Sequence, residues 1–114
     1  MSAAMTTATI TQNWSEICRV EDIPPQGARI VRRPGREDIA VFRSHGDEVF
    51  ALIDRCPHKG GPLSAGLVHG RSVTCPLHNW VVDLDSGQAQ APDVGCARAV
   101  AVRVEAGVVS LDLD

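Results

Sequence analysis

Aromatic side chains are scarce in this 114-residue chain, and an excess of positive charge is missing. It contains no tyrosine, two phenylalanines and two tryptophans, and its 14 acidic residues against 11 lysines and arginines give a formal net charge of −3. Proteins that bind nucleic acid usually present a basic face, and those that bind single strands also need aromatic platforms for stacking. The composition therefore argues against a nucleic-acid partner.

Long apolar runs are also absent. No stretch approaches the roughly 18 to 20 apolar residues that cross a bilayer, so we expect no membrane partner. Residues 1–13 contain no lysine or arginine and no apolar core of the kind that secretory signals carry, and we expect them to form a disordered tail. The sequence predicts a cytoplasmic protein with one domain over residues 14–114, because one domain is usual for about 100 to 200 residues.

Hydrophobic residues alternate with a period of two along several short segments, and no useful helical period is present. Val49, Ala51 and Ile53, for example, lie on one face of such a segment. Short alternating runs separated by glycine, proline and aspartate are typical of an antiparallel sandwich or barrel, so we predict an all-β fold. The predicted strands are 15–19, 28–33, 38–43, 48–53, 67–69, 71–74, 80–84, 88–90, 98–104 and 108–113.

Two predicted loops, 54–66 and 75–79, each contain one cysteine and one histidine. Cys56 and His58 form a C-x-H pair, and Cys75 and His78 form a C-x-x-H pair after sixteen intervening residues. Two thiolates and two imidazoles are the ligand set of a Rieske [2Fe–2S] centre, in which histidines replace two cysteines on one iron. Since neutral imidazoles donate less negative charge than thiolates, they raise the reduction potential. We therefore predict that these four residues bind one such cluster.

A structural zinc site is the alternative, since two cysteines and two histidines also bind zinc tetrahedrally. Zinc sites of this composition usually pair cysteine with cysteine and histidine with histidine. Here the order is Cys-His-Cys-His, and a single residue separates the first pair. This order favours the iron–sulfur cluster.

Gly60, Gly61 and Pro62 follow the first pair and are predicted to contact the cofactor. Glycines let the backbone approach an inorganic core without an intervening Cβ, and their N–H groups could donate to the sulfides and tune the potential. A simple tight turn is the alternative interpretation. We further expect Lys59, Pro62, Leu63, Leu77 and Trp80 to surround an exposed histidine edge, with inward packing of Leu77 and Trp80 as the alternative.

The remaining cysteines and histidines are predicted not to be ligands. Cys18 lies in an alternating segment and should be a small core residue, and Cys96 should be a buried or half-buried free thiol. His45 and His69 each precede a glycine and should be turn residues. The sequence also lacks a G-x-G-x-x-G fingerprint and any nucleophile–base arrangement. We therefore predict no catalytic residue, and a one-electron carrier of this kind needs a partner to do chemistry.

The motifs at residues 56–63 (CPHKGGPL) and 75–80 (CPLHNW) resemble those of the soluble Rieske domain family. The resemblance implies a Rieske-type antiparallel sandwich or barrel with a small cluster-binding subdomain at about 54–80. Rieske proteins of respiratory complexes carry two further cysteines that form a disulfide, and Gly61 and Leu77 stand at those positions here. The resemblance is therefore to the ferredoxin-like group, with a lower expected potential.

The amino-acid sequence outside the ligand loops resembles one branch of that group more closely. Residues 14–18 (WSEIC), 91–96 (APDVGC) and 102–105 (VRVE) are similar to the small subunits of NAD(P)H-dependent assimilatory nitrite reductases. This resemblance implies an electron-transfer subunit that is inactive alone and a large partner holding flavin, sirohaem and a [4Fe–4S] cluster, where nitrite becomes ammonium. A free ferredoxin serving a ring-hydroxylating dioxygenase and a zinc or interaction module are the alternatives.

Overall fold

The structure, a computed structural model, describes residues 14–56, 61–76 and 79–113, and these residues contain ten short strands and two turns of 3-10 helix. The predicted tail, residues 1–13, lies outside these ranges. The 3-10 turns span Val20–Asp22 and Leu63–Ala65. The strands are β1 (Trp14–Arg19), β2 (Ala28–Val31), β3 (Ile39–Arg43), β4 (Val49–Ile53), β5 (Leu67–His69), β6 (Ser72–Thr74), β7 (Val81–Asp83), β8 (Ala99–Val100), β9 (Val102–Glu105) and β10 (Val108–Asp112).

The strands form three antiparallel sheets. A four-stranded main sheet has the order β2-β3-β4-β8, a basal sheet has the order β9-β10-β1, and a small sheet has the order β5-β6-β7. The predicted all-β antiparallel fold is confirmed. Over the ranges that the structure describes, no helix is long and apolar enough to span a membrane.

The central strands of the main sheet are buried on both faces. Four of the five side chains of β3 are buried, and only Arg43 is partly exposed. Val41 pairs with Ala51 and faces the basal sheet, whereas Phe42 and Leu52 face the small sheet. Burial of a large side chain such as Phe42 contributes about 1.5 to 3 kcal/mol, so this sheet stabilises a core on each side.

One core, here named the basal core, lies between the main and basal sheets. It consists of Ile23, Ile39, Val41, Ala51, Ile53, Val109 and Leu111. The other, here named the loop-side core, lies between the main and small sheets. It consists of Ala40, Phe42, Leu52, Cys56, Leu63, Val68, Val73, Cys75, Val82, Leu84 and Ala97.

Two predicted strands differ from the structure. The predicted strand 98–104 is divided at Ala101, because β8 pairs with β4 of the main sheet whereas β9 pairs with β10 of the basal sheet. The chain therefore changes sheets where the sequence pattern looks continuous. The predicted strand 88–90 is reduced to isolated bridges of Gln88 with Cys96 and of Ala89 with Val82.

Candidate metal centre

The first predicted loop leaves the main sheet at the end of β4 and turns back at Cys56. The Cys56 side chain is buried, and its backbone N–H donates to the carbonyl oxygen of Gly61 at 2.7 Å. This hydrogen bond joins the residues on either side of 57–60, which lie outside the described residues. The predicted ligand His58 and the predicted contact Gly60 belong to that undescribed segment.

A side-chain clamp between Asp54 and Ser64 closes the same loop outside the hydrogen bond of Cys56 with Gly61. Asp54 accepts two hydrogen bonds from Ser64, one from its backbone N–H to Oδ1 and one from its hydroxyl to Oδ2, both at 2.7 Å. The Asp54 backbone N–H donates to the carbonyl oxygen of Asp38 at 2.9 Å, which anchors the clamp on the main sheet. The loop is therefore held at its base by side-chain and backbone contacts.

The second predicted loop follows β6 and has a similar closure. Cys75 is fully buried, and its backbone N–H donates to the carbonyl oxygen of Trp80 at 2.7 Å. Its carbonyl oxygen accepts from the Asn79 N–H at 3.1 Å, and Asn79 adopts a left-handed φ of 59° that asparagine tolerates better than most residues. Leu77 and His78 lie between these points and outside the described residues.

The two thiols belong to one apolar environment. Cys56 and Cys75 come from separate loops but are members of the same loop-side core, and neither forms a disulfide. Each loop has a buried thiol, and a histidine that is a predicted ligand follows it by two or three residues. This arrangement suits a cluster whose thiolates are shielded from water. The described residues thus fit the Rieske donor set.

The small sheet that joins the loops is braced internally and against the main sheet. Gln90 donates from Nε2 to Asp83 at 2.9 Å and to Ser72 at 3.1 Å. Arg71, at the tip of the β5–β6 hairpin, lies 5.3 Å from the Phe50 ring centroid and 3.7 Å from a Glu48 carboxylate oxygen. These contacts connect the hairpin to β4 and its preceding turn.

Several residues predicted near the site can be placed. Gly61 is buried and accepts from Cys56, while Pro62 is exposed and immediately precedes the 3-10 turn. Trp80 is half-buried against the loop-side core. The expectation that Leu63 borders an exposed edge is wrong, because this side chain is fully buried in that core.

The other cysteines differ from each other in burial. Cys18 packs against the basal core, and burial raises the pKa of its thiol above the usual value, which keeps it protonated at neutral pH. Cys96 is exposed, so the prediction of a buried or half-buried thiol there is wrong. Neither thiol shares the core that holds Cys56 and Cys75.

The two remaining histidines lie on the surface, each directly before a glycine in a different hairpin. His45 is in the turn between β3 and β4 and is exposed. His69 is also exposed, and its Nε2 lies 2.6 Å from the Thr74 hydroxyl oxygen. The left-handed backbone conformation falls on Asp47 and Gly70 instead. His69 thus ends β5 rather than forming the turn.

Sequence reasoning missed the clamp between Asp54 and Ser64. The only signal for it is an aspartate two residues before Cys56 and a serine two residues after Pro62. Such side chains bond backbone groups at turns in many proteins. Only the folded backbone shows that these two meet across ten residues.

Several known proteins are similar to this chain in sequence or in structure. The anthranilate 1,2-dioxygenase ferredoxin subunit of Burkholderia cepacia is 34% identical over 110 residues, covering 96% of this chain and 99% of the relative. The structure of a Sphingomonas yanoikuyae ferredoxin matches with a TM-score of 0.77 and 27% identity, covering 90% of this chain and all of that chain. A chain named as the small subunit of an NADPH nitrite reductase matches with a TM-score of 0.75 and 26% identity, covering 87% and 97%.

The family model for the Rieske [2Fe-2S] domain matches residues 13–103. That range contains both closed loops and all three sheets except the last two residues of β9 and the last strand, β10. The match agrees with the antiparallel fold and with two buried thiols in one core. This chain belongs to the Rieske [2Fe-2S] domain family and binds one Rieske [2Fe–2S] cluster.

Proposed function

We propose that Cys56, His58, Cys75 and His78 ligate the cluster, and that the chain carries single electrons as the small subunit of an assimilatory NAD(P)H nitrite reductase. The ligand assignment rests on the two closed loops, whose buried thiols both belong to the loop-side core. The cluster-binding subdomain would then comprise about residues 54–80, and the domain residues 14–114. We place the protein in the cytoplasm, which fractionation of cells with an antibody to the chain would test.

The chain's own residues have a protective and positioning role in this proposal. When bound, the cluster supplies one-electron redox chemistry. Burial of Cys56 and Cys75 keeps water and oxidants from the thiolates. The clamp from Asp54 and the closures at Gly61 and Trp80 fix where each loop turns, so the predicted imidazoles are presented from a rigid base.

The nitrite reductase assignment rests on the amino-acid sequence outside the ligand loops. Residues 91–96 (APDVGC) continue into β8 and β9 and resemble nitrite reductase small subunits. The backbone of this segment is tied to the small sheet through Ala89, whose N–H donates to the Gly95 carbonyl oxygen at 2.8 Å and which forms a bridge with Val82 of β7. The segment thus belongs to the same structural unit as the ligand loops. The structural match to a chain named as a nitrite reductase small subunit, of which the alignment covers 97%, supports the proposal.

In this proposal the partner is a large flavin and sirohaem subunit that holds nitrite and produces ammonium. The predicted ligand set is a one-electron centre, and we assign no catalytic residue to this chain. Electrons would pass between this chain and the large subunit, and the chain would have no nitrite reductase activity alone.

A ferredoxin that serves a ring-hydroxylating dioxygenase is the second candidate. It is favoured by the 34% identity to the Burkholderia cepacia ferredoxin subunit, which extends over nearly the whole of both chains. Both candidates use the same fold and the same four ligands. They differ in the protein that receives the electron.

Reconstitution with defined partners separates the two candidates. The purified chain would be added to a nitrite reductase large subunit with NAD(P)H and nitrite, and ammonium would be measured. A parallel assay would use a dioxygenase and its reductase, with hydroxylated product as the readout. We expect the native chain to raise ammonium formation and Cys56→Ser to fail. Support of hydroxylation without any effect on ammonium would establish the second candidate.

A further inference from the structure

An arginine-lined cavity of about 150 Å³ lies on the basal side of the main sheet. Its apolar floor includes Ile39 and Ile53, which pair across β3 and β4 and belong to the basal core. The candidate metal centre lies on the opposite face of this sheet, in the loop-side core. The cavity is therefore separate from the cluster site. Its lining residues are Arg33, Arg36, Ile39, Ile53, Arg98, Ala99, Val100, Ala101 and Asp112.

A tight turn brings two of the arginines together. The Arg36 N–H donates to the Arg33 carbonyl oxygen at 2.9 Å, and Gly35 has a φ of +77°. Proline at the second position and a left-handed glycine at the third are typical of a type II turn. The sequence from Arg33 to Arg36 therefore places both side chains at the ends of one turn, beside the same cavity.

Backbone contacts position the arginines from both sides of the cavity. Arg33 is half-buried, and its Nε donates to the Glu37 carbonyl oxygen at 2.8 Å, which leaves its two terminal nitrogens for another acceptor. Arg98 comes from a distant part of the chain, and its carbonyl oxygen accepts from the Ile53 N–H at 2.8 Å. Over the residues described, the Arg98 guanidinium makes no hydrogen bond or ion pair.

The charges around the cavity are unbalanced. Three guanidinium groups line it, against the single carboxylate of Asp112. The nearest acidic residues along the chain have other partners: Glu37 lies 3.8 Å from Arg55 and Asp38 lies 3.5 Å from Arg32. A chain with a net charge of −3 thus carries a local positive site with an apolar floor.

We propose that this cavity binds a small oxyanion, either a phosphate or a carboxylate. Guanidinium groups present planar pairs of donors that match the oxygen spacing of both anions. A concave site with an apolar floor strengthens such contacts relative to an open surface. Arg33 is already oriented by its contact with Glu37, so part of the ordering cost of binding is met in the free protein.

Titration of the 15N-labelled, oxidised holoprotein by NMR tests the site. Sodium phosphate and sodium acetate are the probes, and sodium chloride at equal ionic strength is the reference. We expect saturable shifts of the backbone amides of residues 98–101 with phosphate or acetate and none with chloride. Preference for phosphate would identify a free inorganic or phosphorylated ligand, and preference for acetate would identify a carboxylate group.

Substitutions show whether the arginines create the site. Arg98→Ala should weaken binding about tenfold, as loss of a hydrogen bond to a charged group does, and Arg36→Ala provides an independent second variant. Arg29→Ala, which removes the same charge from the exposed part of β2 outside the cavity, should leave binding unchanged. Shifts that never saturate, that chloride reproduces, or that survive both cavity substitutions would overturn the proposal.

Discussion

Burial divides the four cysteines of this chain into groups with different chemistry. Cys56 and Cys75 are 2% and 0% exposed and share the loop-side core, whereas Cys96 is exposed and Cys18 packs against the basal core. A buried thiol without a disulfide partner suits either packing or metal ligation. The pairing of two such thiols with two closed loops favours ligation.

Replacement of single cysteines tests this division. Cys56→Ser or Cys75→Ser should abolish the coloured cluster, because a hydroxyl is a poor iron ligand at neutral pH. Cys18→Ala and Cys96→Ala should keep native iron and acid-labile sulfide per chain. Retention of the cluster in Cys56→Ser together with its loss in Cys18→Ala or Cys96→Ala would show that the ligands are assigned wrongly.

Substitution of Asp54 tests whether its hydrogen bonds to Ser64 hold the first loop. Asp54→Ala removes both hydrogen bonds to Ser64, and we expect it to lower stability by about 2 kcal/mol and to speed iron release on heating. Asp54→Asn keeps an acceptor for the Ser64 N–H and an amide for its hydroxyl, so it should restore stability.

The reduction potential separates the charge of Asp54 from its role as a clamp. Both variants remove a negative charge close to Cys56, so both should raise the potential, while only Asp54→Ala should release iron faster. Equal stability of the two variants would show that the clamp does not hold the loop.

Single residues also show the limits of the sequence analysis. Chemistry that depends on residue type and spacing, such as the two Cys-His pairs, is visible in one sequence. Exposure is not, because it depends on what the rest of the chain covers. The predicted environments of Leu63 and Cys96 are wrong for this reason.

Individual elements are short, and their stability comes from the sheets on which they pack. The period-two pattern predicted β3, β4 and β10 to within about a residue or two, because their side chains alternate between faces. The same pattern could not show that the chain leaves the main sheet at Ala101, because β8 and β9 differ only in their partners. Pairing is a property of the tertiary fold.

Close packing of Gly66 against β6 gives a prediction for the small sheet. A Cβ on Gly66 would overlap the Thr74 carbonyl oxygen and lie 2.9 Å from a Val73 methyl group. Gly66→Ala should therefore separate the first loop from the hairpin and lower the free energy of unfolding by about 1 to 3 kcal/mol, with faster loss of cluster colour on heating.

Gly46→Ala is the matched control, because a Cβ at that position would meet nothing within 4 Å. It should retain the native melting temperature and the native rate of colour loss. Equal effects of the two substitutions would mean that the contact between the first loop and β6 does not stabilise the site.

The whole molecule must hand its electron to another protein, and the predicted histidine edge is where we expect contact. Leu77 lies between two proposed ligands and outside the described residues, and we predict that it forms part of an apolar docking patch. Leu77→Asp should keep iron, sulfide and colour but lose electron transfer with a reduced partner, because docking would bury an unpaired charge.

Val104→Asp is the control for this surface. Val104 is 44% exposed on β9, in the basal sheet, which carries neither ligand loop. The Val104→Asp variant should leave the rate of coupled nitrite reduction or hydroxylation unchanged. If Leu77→Asp supports nitrite reduction or hydroxylation at the full rate, electrons pass to the partner at a different surface.

At the scale of the molecule, the fold and cofactor were predictable from the sequence and the partner was not. The cofactor follows from two short motifs, and the fold from alternation and turns. The partner depends on a surface that ferredoxins and nitrite reductase small subunits build on the same scaffold, and both kinds of protein resemble this chain.

Nitrogen hyperfine spectroscopy tests the central claim most directly. The chain would be labelled with 15N-histidine, purified with its cluster and reduced by one electron, and the electron spin would be probed by double resonance. We predict strong coupling to two histidine nitrogens, one from His58 and one from His78, because both imidazoles bind the reduced iron. A reduced cluster without histidine coupling, or a zinc-containing protein without any electron spin, would contradict the account.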